Sequence, residues 1–206
     1  MSAIRVACLA WGSLLWDPRC LPMASDFRAE GPRLPIEFSR VAIDGRVTLV
    51  IDPNARPLET YHVRMEVETL DEAIRGLGMR EKIAPERWTD WIGVQTRDAP
   101  LCNTGETAEE IRMEIARWLS GQPLDAVVWT ALPARAPDGN LDTPSLGSLL
   151  SHLEGLAGSA RSRAEQYIRR APETVRTVNR TRFEEVFGWF PIAEDDRATQ
   201  GGGSDG

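Results

Sequence analysis

The alternation of apolar and polar residues predicts three strands in the first part of the chain. An unbroken apolar run, Ile4 to Trp11, ends at Gly12-Ser13 and predicts a buried strand. Two further runs, 34–43 and 47–51, flank Asp44-Gly45, a pair typical of a type I′ hairpin turn. A buried strand that stops in a bare backbone loop is therefore followed by a β-hairpin.

The pattern changes from strand to helix after this hairpin. Residues 61–67 alternate between apolar and polar, which predicts a half-buried strand that we expect beside the hairpin. The apolar positions of 70–77 share one helical face. Gly76 and Gly78 are poor helix formers, so the backbone is expected to loosen just before Arg80-Glu81.

The remaining elements complete a mixed α+β order. They are a strand at 91–96, a helix at 107–119, a strand at 126–132 and helices between 143 and about 189. We expect three parts: a domain at 1–135, a C-terminal helical extension packed on it at 136–195, and a disordered tail at 196–206. The tail ends in glycine, serine and aspartate, which bury too little to offset their ordering entropy.

Charge and hydropathy narrow the class of protein. The 206 residues carry a formal net charge of −7, with both signs mixed along the chain, so we expect no nucleic-acid partner. No apolar run approaches the roughly 20 residues of a membrane span, and the amino terminus lacks the pattern of a secretion signal. We expect a cytoplasmic protein that does not bind membranes.

The cysteines and histidines offer little material for a metal site. Cys8, Cys20 and Cys102 are far apart and odd in number, which predicts reduced thiols rather than a disulfide framework. His62 and His152 lie near no cysteine cluster. We expect neither a metal nor a cofactor.

Three segments together resemble a known family. They are Trp11-Gly12-Ser13-Leu14-Leu15-Trp16-Asp17-Pro18, Gly45-Arg46-Val47-Thr48-Leu49 and Leu77-Gly78-Met79-Arg80-Glu81. In this order they resemble the gamma-glutamylcyclotransferase-like superfamily, nearest to its glutathione-specific (ChaC-type) branch, over roughly residues 4–132. Two features depart from that pattern: Trp11 stands where the family usually has tyrosine, and the segment after Glu81 lacks the family's small, aromatic-containing stretch.

The resemblance implies a fold and a reaction. The fold is a small antiparallel β-barrel with flanking helices, followed here by the helical extension. The reaction converts a gamma-glutamyl peptide or amine to 5-oxoproline and a free amine without metal or cofactor. The alpha-amino group attacks the gamma-carbonyl of the same molecule, so the enzyme holds the folded conformer and moves a proton between two nitrogens.

Glu81 is the candidate general acid/base. It continues the apolar face of the predicted helix by one step, toward the interior, where partial desolvation makes a carboxylate a better base. Periodicity alone favours another interpretation, a glutamate at a helix end that points to water or pairs with Arg80 or Lys82. The resemblance favours the catalytic role.

The loop Trp11-Gly12-Ser13-Leu14 is the candidate substrate clamp. Its backbone N–H groups lie beyond the strand, and glycine permits close approach, so the loop can receive the substrate's alpha-carboxylate. Without the resemblance, an ordinary strand-ending turn is the simpler interpretation. Ser13 has no histidine or Gly-x-Ser-x-Gly motif beside it, which argues against a serine hydrolase.

Other polar and aromatic residues are given structural roles. Alternation places Glu37 opposite its apolar neighbours, facing solvent. Arg40 and Arg46 could each bind a carboxylate, although no spacing singles them out. Trp11 and Trp16 could line a pocket, but aromatic residues at a strand end are more often core.

Two alternatives to the cyclotransferase remain open. A non-catalytic member of the same fold would use the pocket to bind or sense a small molecule. A hydrolase on the same fold would release glutamate instead of 5-oxoproline. Protein partners and the identity of the leaving amine are not predicted.

Overall fold

The computed structural model describes residues 4–98 and 107–192. Cys102 and the expected tail lie outside these ranges. The described residues form a mixed α+β fold. The strands are β1 (Val6–Ala10), β2 (Arg33–Val41), β3 (Val47–Ile51), β4 (Pro57–Glu59), β5 (Tyr61–Arg64), β6 (Ile92–Thr96) and β7 (Ala126–Thr130). The helices are α1 (Leu70–Glu81), α2 (Trp88–Trp91), α3 (Glu109–Ser120), α4 (Leu146–Gly155), α5 (Gly158–Arg170) and α6 (Val178–Phe187).

The strands form two sheets. The first has the order β5-β1-β7-β6, with β1 and β7 parallel and the outer pairs antiparallel. The second has the order β3-β2-β4 and is antiparallel. Within the described ranges these sheets do not close into a barrel, so the mixed α+β class is confirmed and the barrel is not.

The central strands explain the unbroken apolar runs. Every residue of β1 is buried, and its side chains alternate between two hydrophobic cores. One core lies on the α1 side of the first sheet and contains Cys8 and Leu77. The other lies toward the second sheet and contains Leu9 and Phe38. A strand covered on both faces has no polar side, which is why its sequence shows no alternation.

The C-terminal helices pack in the second core. Leu149 of α4, Ile168 of α5 and Phe183 of α6 are fully buried there with residues of β2 and β3. The Phe183 ring meets the Phe38 ring edge-on, with centroids 5.9 Å apart. These helices therefore cover the hairpin rather than stand apart from it.

The hairpin turn between β2 and β3 differs from the expected type I′ turn. Ala42 and Arg46 form the closing pair, and Gly45 donates to the Ala42 carbonyl at 3.0 Å. Gly45 has φ +84°, whereas Asp44 keeps a negative φ. This is a three-residue loop, a type I turn followed by a left-handed glycine. The predicted hairpin is confirmed. The predicted type I′ turn is wrong, because the loop includes a third residue, Ile43.

The strand at 61–67 does not pair beside the hairpin. β5 pairs with β1 in the first sheet, and the short β4 before it pairs with β2 in the second. The chain changes sheets at Thr60, whose hydroxyl donates to the Pro32 carbonyl at 2.7 Å. Alternation predicts a strand but not its neighbour, so the expected pairing is wrong.

Helix α1 also differs from expectation, because it continues to Glu81 without loosening. Gly78 faces the indole of Trp88, and a β-carbon there would lie 2.3 Å from Trp88 Nε1. Gly78 therefore leaves room for the Trp88 indole and does not loosen the helix. The packing of this indole offsets the low helix propensity of glycine.

Glu37 is buried, so its expected solvent exposure is wrong. Its carboxylate accepts hydrogen bonds from the backbone N–H of Val178 at 3.1 Å and of Asn179 at 3.3 Å. It also accepts from Phe38 N–H at 2.8 Å. Helix α6 thus begins on the Glu37 side chain, and the residue has the structural role that alternation assigned to it, in a buried setting.

Candidate functional site

Parallel pairing of β1 and β7 brings the candidate residues to one edge of the first sheet. The carboxyl ends of parallel strands lie at the same edge, so Gly12, which follows β1, comes near Thr130, which ends β7. Helix α1 packs on the same two strands and ends at Glu81. Thr130 Oγ1 lies 3.4 Å from Glu81 Oε1, which places the helix end at this edge.

The candidate clamp leaves β1 in a tight turn. Leu15 N–H donates to the Gly12 carbonyl at 3.0 Å, and Asp17 N–H donates to the Ser13 carbonyl at 2.9 Å. In the described part of the chain, the N–H groups of Gly12, Ser13 and Leu14 donate no hydrogen bond. The loop therefore presents consecutive backbone donors.

Two side chains of the loop anchor it in opposite cores. Trp11 and Leu14 are each 5% exposed, Trp11 in the core near the hairpin and Leu14 in the core near α1. Trp11 Nε1 donates to the Leu49 carbonyl at 3.4 Å. These residues hold the loop between the two cores, so the parts of the loop that remain for a ligand are its backbone and the Ser13 side chain.

Glu81 is the last residue of α1. The helix ends sharply because Lys82 takes the left-handed conformation, with φ 55°. Ile83 N–H then donates back to the Gly78 carbonyl at 2.9 Å, and Trp88 Nε1 donates to the Ile83 carbonyl at 2.9 Å. This termination is a typical left-handed helix cap. It fixes the direction in which the Glu81 side chain leaves the helix.

Arg80 joins Glu81 to the loop. Its guanidinium donates to Glu81 Oε1 at 2.8 Å, to Ser13 Oγ at 3.2 Å and to the Asp17 carbonyl at 2.6 Å. Arg80 is 4% exposed and Glu81 is 18% exposed. Glu81 therefore pairs with Arg80, as the non-catalytic interpretation of this glutamate expected. The ion pair is largely buried and lies against the candidate clamp.

The two oxygens of Glu81 have different surroundings. Oε1 is shared between Arg80 and Thr130. Oε2 accepts no hydrogen bond from any residue in the ranges 4–98 and 107–192. A carboxylate held by one oxygen presents the other in a defined direction, which is the arrangement that positioned proton transfer requires.

Tyr167 of α5 lies on the other side of the loop. A β-carbon at position 12 would lie 2.8 Å from Tyr167 Oη. Burial raises the pKa of Tyr167, and the Glu81 charge adds to this, while Leu49 N–H, Arg46 and Arg80 oppose it. Burial also raises the pKa of Cys8, which lies beneath the site and interacts with the same carboxylate, so this thiol stays protonated.

Sequence reasoning did not assign Arg80, Thr130 or Tyr167 to the site. A weak signal existed for Arg80, because it lies three residues after Leu77 and seven after Ala73, on the buried face of α1. No comparable signal exists for Tyr167, since its position depends on how α5 packs. Thr130 could be found only from the parallel pairing of its strand.

The other candidate cations lie apart from Glu81. Arg46 pairs with Asp44 at 2.8 Å, and its guanidinium lies 5.3 Å from the centre of the Tyr167 ring. Arg40 donates to the Pro133 carbonyl at 2.7 Å, and its pKa is lowered by burial and, to a smaller extent, by the nearby Arg135. Within the described ranges, neither arginine forms a hydrogen bond or ion pair with residues 12–14.

A concavity of about 540 Å³ lies between residues 136–138 and α4. It includes Ser148 and His152 but none of the candidate site residues. His152 Nε2 contacts the Gly45 carbonyl, and the Ser148 hydroxyl donates to the Ser145 carbonyl. Within the described ranges the histidine forms no hydrogen bond with this serine, so the two are not paired as a nucleophile and its base.

In the described ranges there is no group of three or more histidine, cysteine, aspartate or glutamate side chains placed to hold a metal ion. None of the helices described is long and apolar enough to span a bilayer. The chain matches no protein-family model and no curated protein.

Proposed function

We propose that the protein is a gamma-glutamylcyclotransferase-like enzyme that converts a gamma-glutamyl peptide or amine to 5-oxoproline and the free amine. The observation that carries this proposal is the hydrogen-bonded link from Ser13 Oγ through Arg80 to Glu81 Oε1. It joins a candidate acid/base to a loop of backbone donors. The same proposal includes the fold: it takes the two sheets to correspond to the barrel of the superfamily.

Each step of the reaction has a residue to perform it. The N–H groups of residues 12–14 receive the alpha-carboxylate of the substrate, next to the Arg80 charge. Glu81 Oε2 takes a proton from the alpha-ammonium, and the freed amine attacks the gamma-carbonyl carbon to form the lactam C–N bond. As the original gamma C–N bond breaks, Glu81 gives this proton to the leaving nitrogen. The second proton that the ring nitrogen loses follows through the same carboxylate, so the lactam nitrogen keeps one hydrogen and the amine leaves as an ammonium ion.

The Arg80–Glu81 ion pair supports a second candidate, a non-catalytic module that binds the same class of ligand. A carboxylate paired with a buried arginine can serve to hold the helix end and the loop together. Such a module would bind a gamma-glutamyl compound without turning it over. Product formation separates the two candidates.

The deciding experiment is a screen of purified protein with glutathione, gamma-glutamyl dipeptides and gamma-glutamyl amines, with 5-oxoproline and glutamate both quantified. We expect 5-oxoproline from at least one substrate; glutamate instead would identify a hydrolase. Glu81→Gln should lower turnover by about 10²–10⁴-fold, since an amide cannot carry the proton. Glu86→Gln, an exposed carboxamide substitution five residues away, is the matched control.

Retained 5-oxoproline release by Glu81→Gln would overturn the assignment. Thermal unfolding of both variants must accompany the assay, so that a loss of turnover is not confused with a loss of fold. Binding of a gamma-glutamyl compound with no product from the wild type would favour the non-catalytic candidate.

A further inference from the structure

The C-terminal helices contribute one polar side chain to the candidate site. Tyr167 lies on the buried face of α5 together with Ala164 and Ile168, and it is 7% exposed. Its ring is held edge-on by Trp16, with centroids 5.3 Å apart, and by Phe38 at 6.3 Å. The ring is thus held by one residue that follows the loop and by one residue of β2, so packing sets the position of the hydroxyl.

The Tyr167 hydroxyl lies against Gly12. The nearest atom to a β-carbon built at position 12 is Tyr167 Oη, at 2.8 Å, and Cζ follows at 3.8 Å. The Gly12 backbone has φ −131° and ψ −139°, so it does not lie in the left-handed region. The space that glycine leaves is occupied by the phenol oxygen, which brings it beside the donors of the loop.

No residue in the described ranges accepts a hydrogen bond from this hydroxyl. Apart from an interaction with the Leu49 backbone N–H, Oη has no polar partner in the described parts of the chain. Burial raises the pKa of this phenol, so it remains protonated at neutral pH. The charges of Glu81 and Arg80 both act on it, which places it within the electrostatic surroundings of the site.

We propose that Tyr167 is a substrate-binding residue whose hydroxyl donates a hydrogen bond to the alpha-carboxylate held at Gly12-Ser13-Leu14. The carboxylate thus lies between backbone donors, the Arg80 side chain and a phenol from α5. The inference rests on the proposed function and deepens it. It gives the helical extension a role, because α5 adds a side chain to a site otherwise built from the first 135 residues.

The test compares Tyr167→Phe with Tyr61→Phe. Tyr61 is the other tyrosine of the chain, and its hydroxyl contacts Thr174 Oγ1 at 2.9 Å rather than a residue of the loop. Tyr167→Phe should raise KM about tenfold for the substrate found in the screen, which is the effect of one hydrogen bond to a charged group. Its kcat should change by less than about threefold, because the proton carrier is untouched. Tyr61→Phe should leave both constants unchanged.

Inhibition measurements distinguish a substrate-binding role of Tyr167 from a purely structural one. In the wild type, L-glutamate should compete with the substrate, and Tyr167→Phe should weaken that inhibition about tenfold. Gamma-aminobutyrate, which lacks the alpha-carboxylate, should inhibit both proteins equally. An active wild type whose KM and glutamate inhibition are unchanged in Tyr167→Phe overturns this inference alone. A wild type that neither forms 5-oxoproline nor binds a gamma-glutamyl compound overturns the proposed function with it.

Discussion

Arg80 Nη2 lies 3.2 Å from Ser13 Oγ, although 67 positions separate the two residues in the sequence. The same guanidinium donates to Glu81 and to the Asp17 carbonyl. One buried cation therefore sets the distance between the end of α1 and the loop after β1. Its planar fork can reach several acceptors at once, which an ammonium group cannot reproduce in the same geometry.

Replacing this cation while keeping its charge is the first prediction. Arg80→Lys should lower the free energy of unfolding by about 1–2 kcal/mol, since several hydrogen bonds to a buried group are lost. It should also lower kcat for 5-oxoproline formation about tenfold, because Glu81 loses its support. Urea unfolding and the product assay measure the two effects. Arg87→Lys, at an exposed pair with Asp90, is the control and should behave as the wild type.

The close approach between Gly12 and Tyr167 gives a second prediction. Gly12→Ala should destabilise the protein by about 1–3 kcal/mol, because the new methyl group overlaps the phenol oxygen. Adding Tyr167→Phe should recover part of this loss, since the nearest remaining atoms, Leu49 Cβ and Tyr167 Cζ, are at an ordinary contact distance of 3.8 Å. The substitution Gly155→Ala, where no atom lies within 4 Å, is the control. Strict additivity of the two site substitutions would contradict the packing described here.

The elements of the fold could be predicted where the pattern is local. The apolar run of β1, the hairpin and the face of α1 each depend on neighbours within a few residues. Sheet partners could not be predicted this way. β5 joins β1 and not the hairpin because the chain changes sheets at Thr60, and no periodicity records such a change.

The candidate site shows the same division. Sequence pattern and family resemblance single out Glu81 and the loop at residues 11–14, and the structure brings these two pieces together through Arg80. The burial of Arg80 depends on Ser13 and Asp17, and the position of Tyr167 depends on the packing of α5 on β3. Such long-range contacts follow from tertiary packing, which is why single-sequence patterns did not find them.

The third prediction concerns the contribution of Arg180 to the stability of the helical extension. Arg180 is fully buried, and its guanidinium donates to the carbonyls of Ala171 at 2.8 Å and Val175 at 2.9 Å, joining the end of α5 to α6. It also pairs with the buried Glu184. Arg180→Ala should cost about 3–5 kcal/mol, because carbonyls and a carboxylate lose a buried partner. Chemical denaturation measures this cost, and Arg182→Ala, an exposed position on the same helix, should change stability by less than about 0.5 kcal/mol.

The last prediction concerns pH and Glu37. Burial raises the pKa of this carboxyl above its ordinary value, although hydrogen bonds from Thr177, Phe38, Asn179 and Val178 offset part of the shift. The folded protein therefore binds more protons here than the unfolded chain over the interval between the two pKa values. The contribution of Glu37 to stability is fully present below its ordinary pKa of about 4.3 and is lost as pH rises through the folded value.

A comparison of the wild type with Glu37→Gln isolates this contribution. The difference in free energy of unfolding, wild type minus variant, should decline as pH rises from about 3.5 toward 7, because the amide does not titrate. Urea unfolding at several pH values measures it, and Glu59→Gln, at an exposed position of β4, should give a difference with little pH dependence. A difference that grows with rising pH would mean that the hydrogen bonds at the start of α6 outweigh the desolvation of the carboxylate, and that Glu37 is held in the fold as an anion.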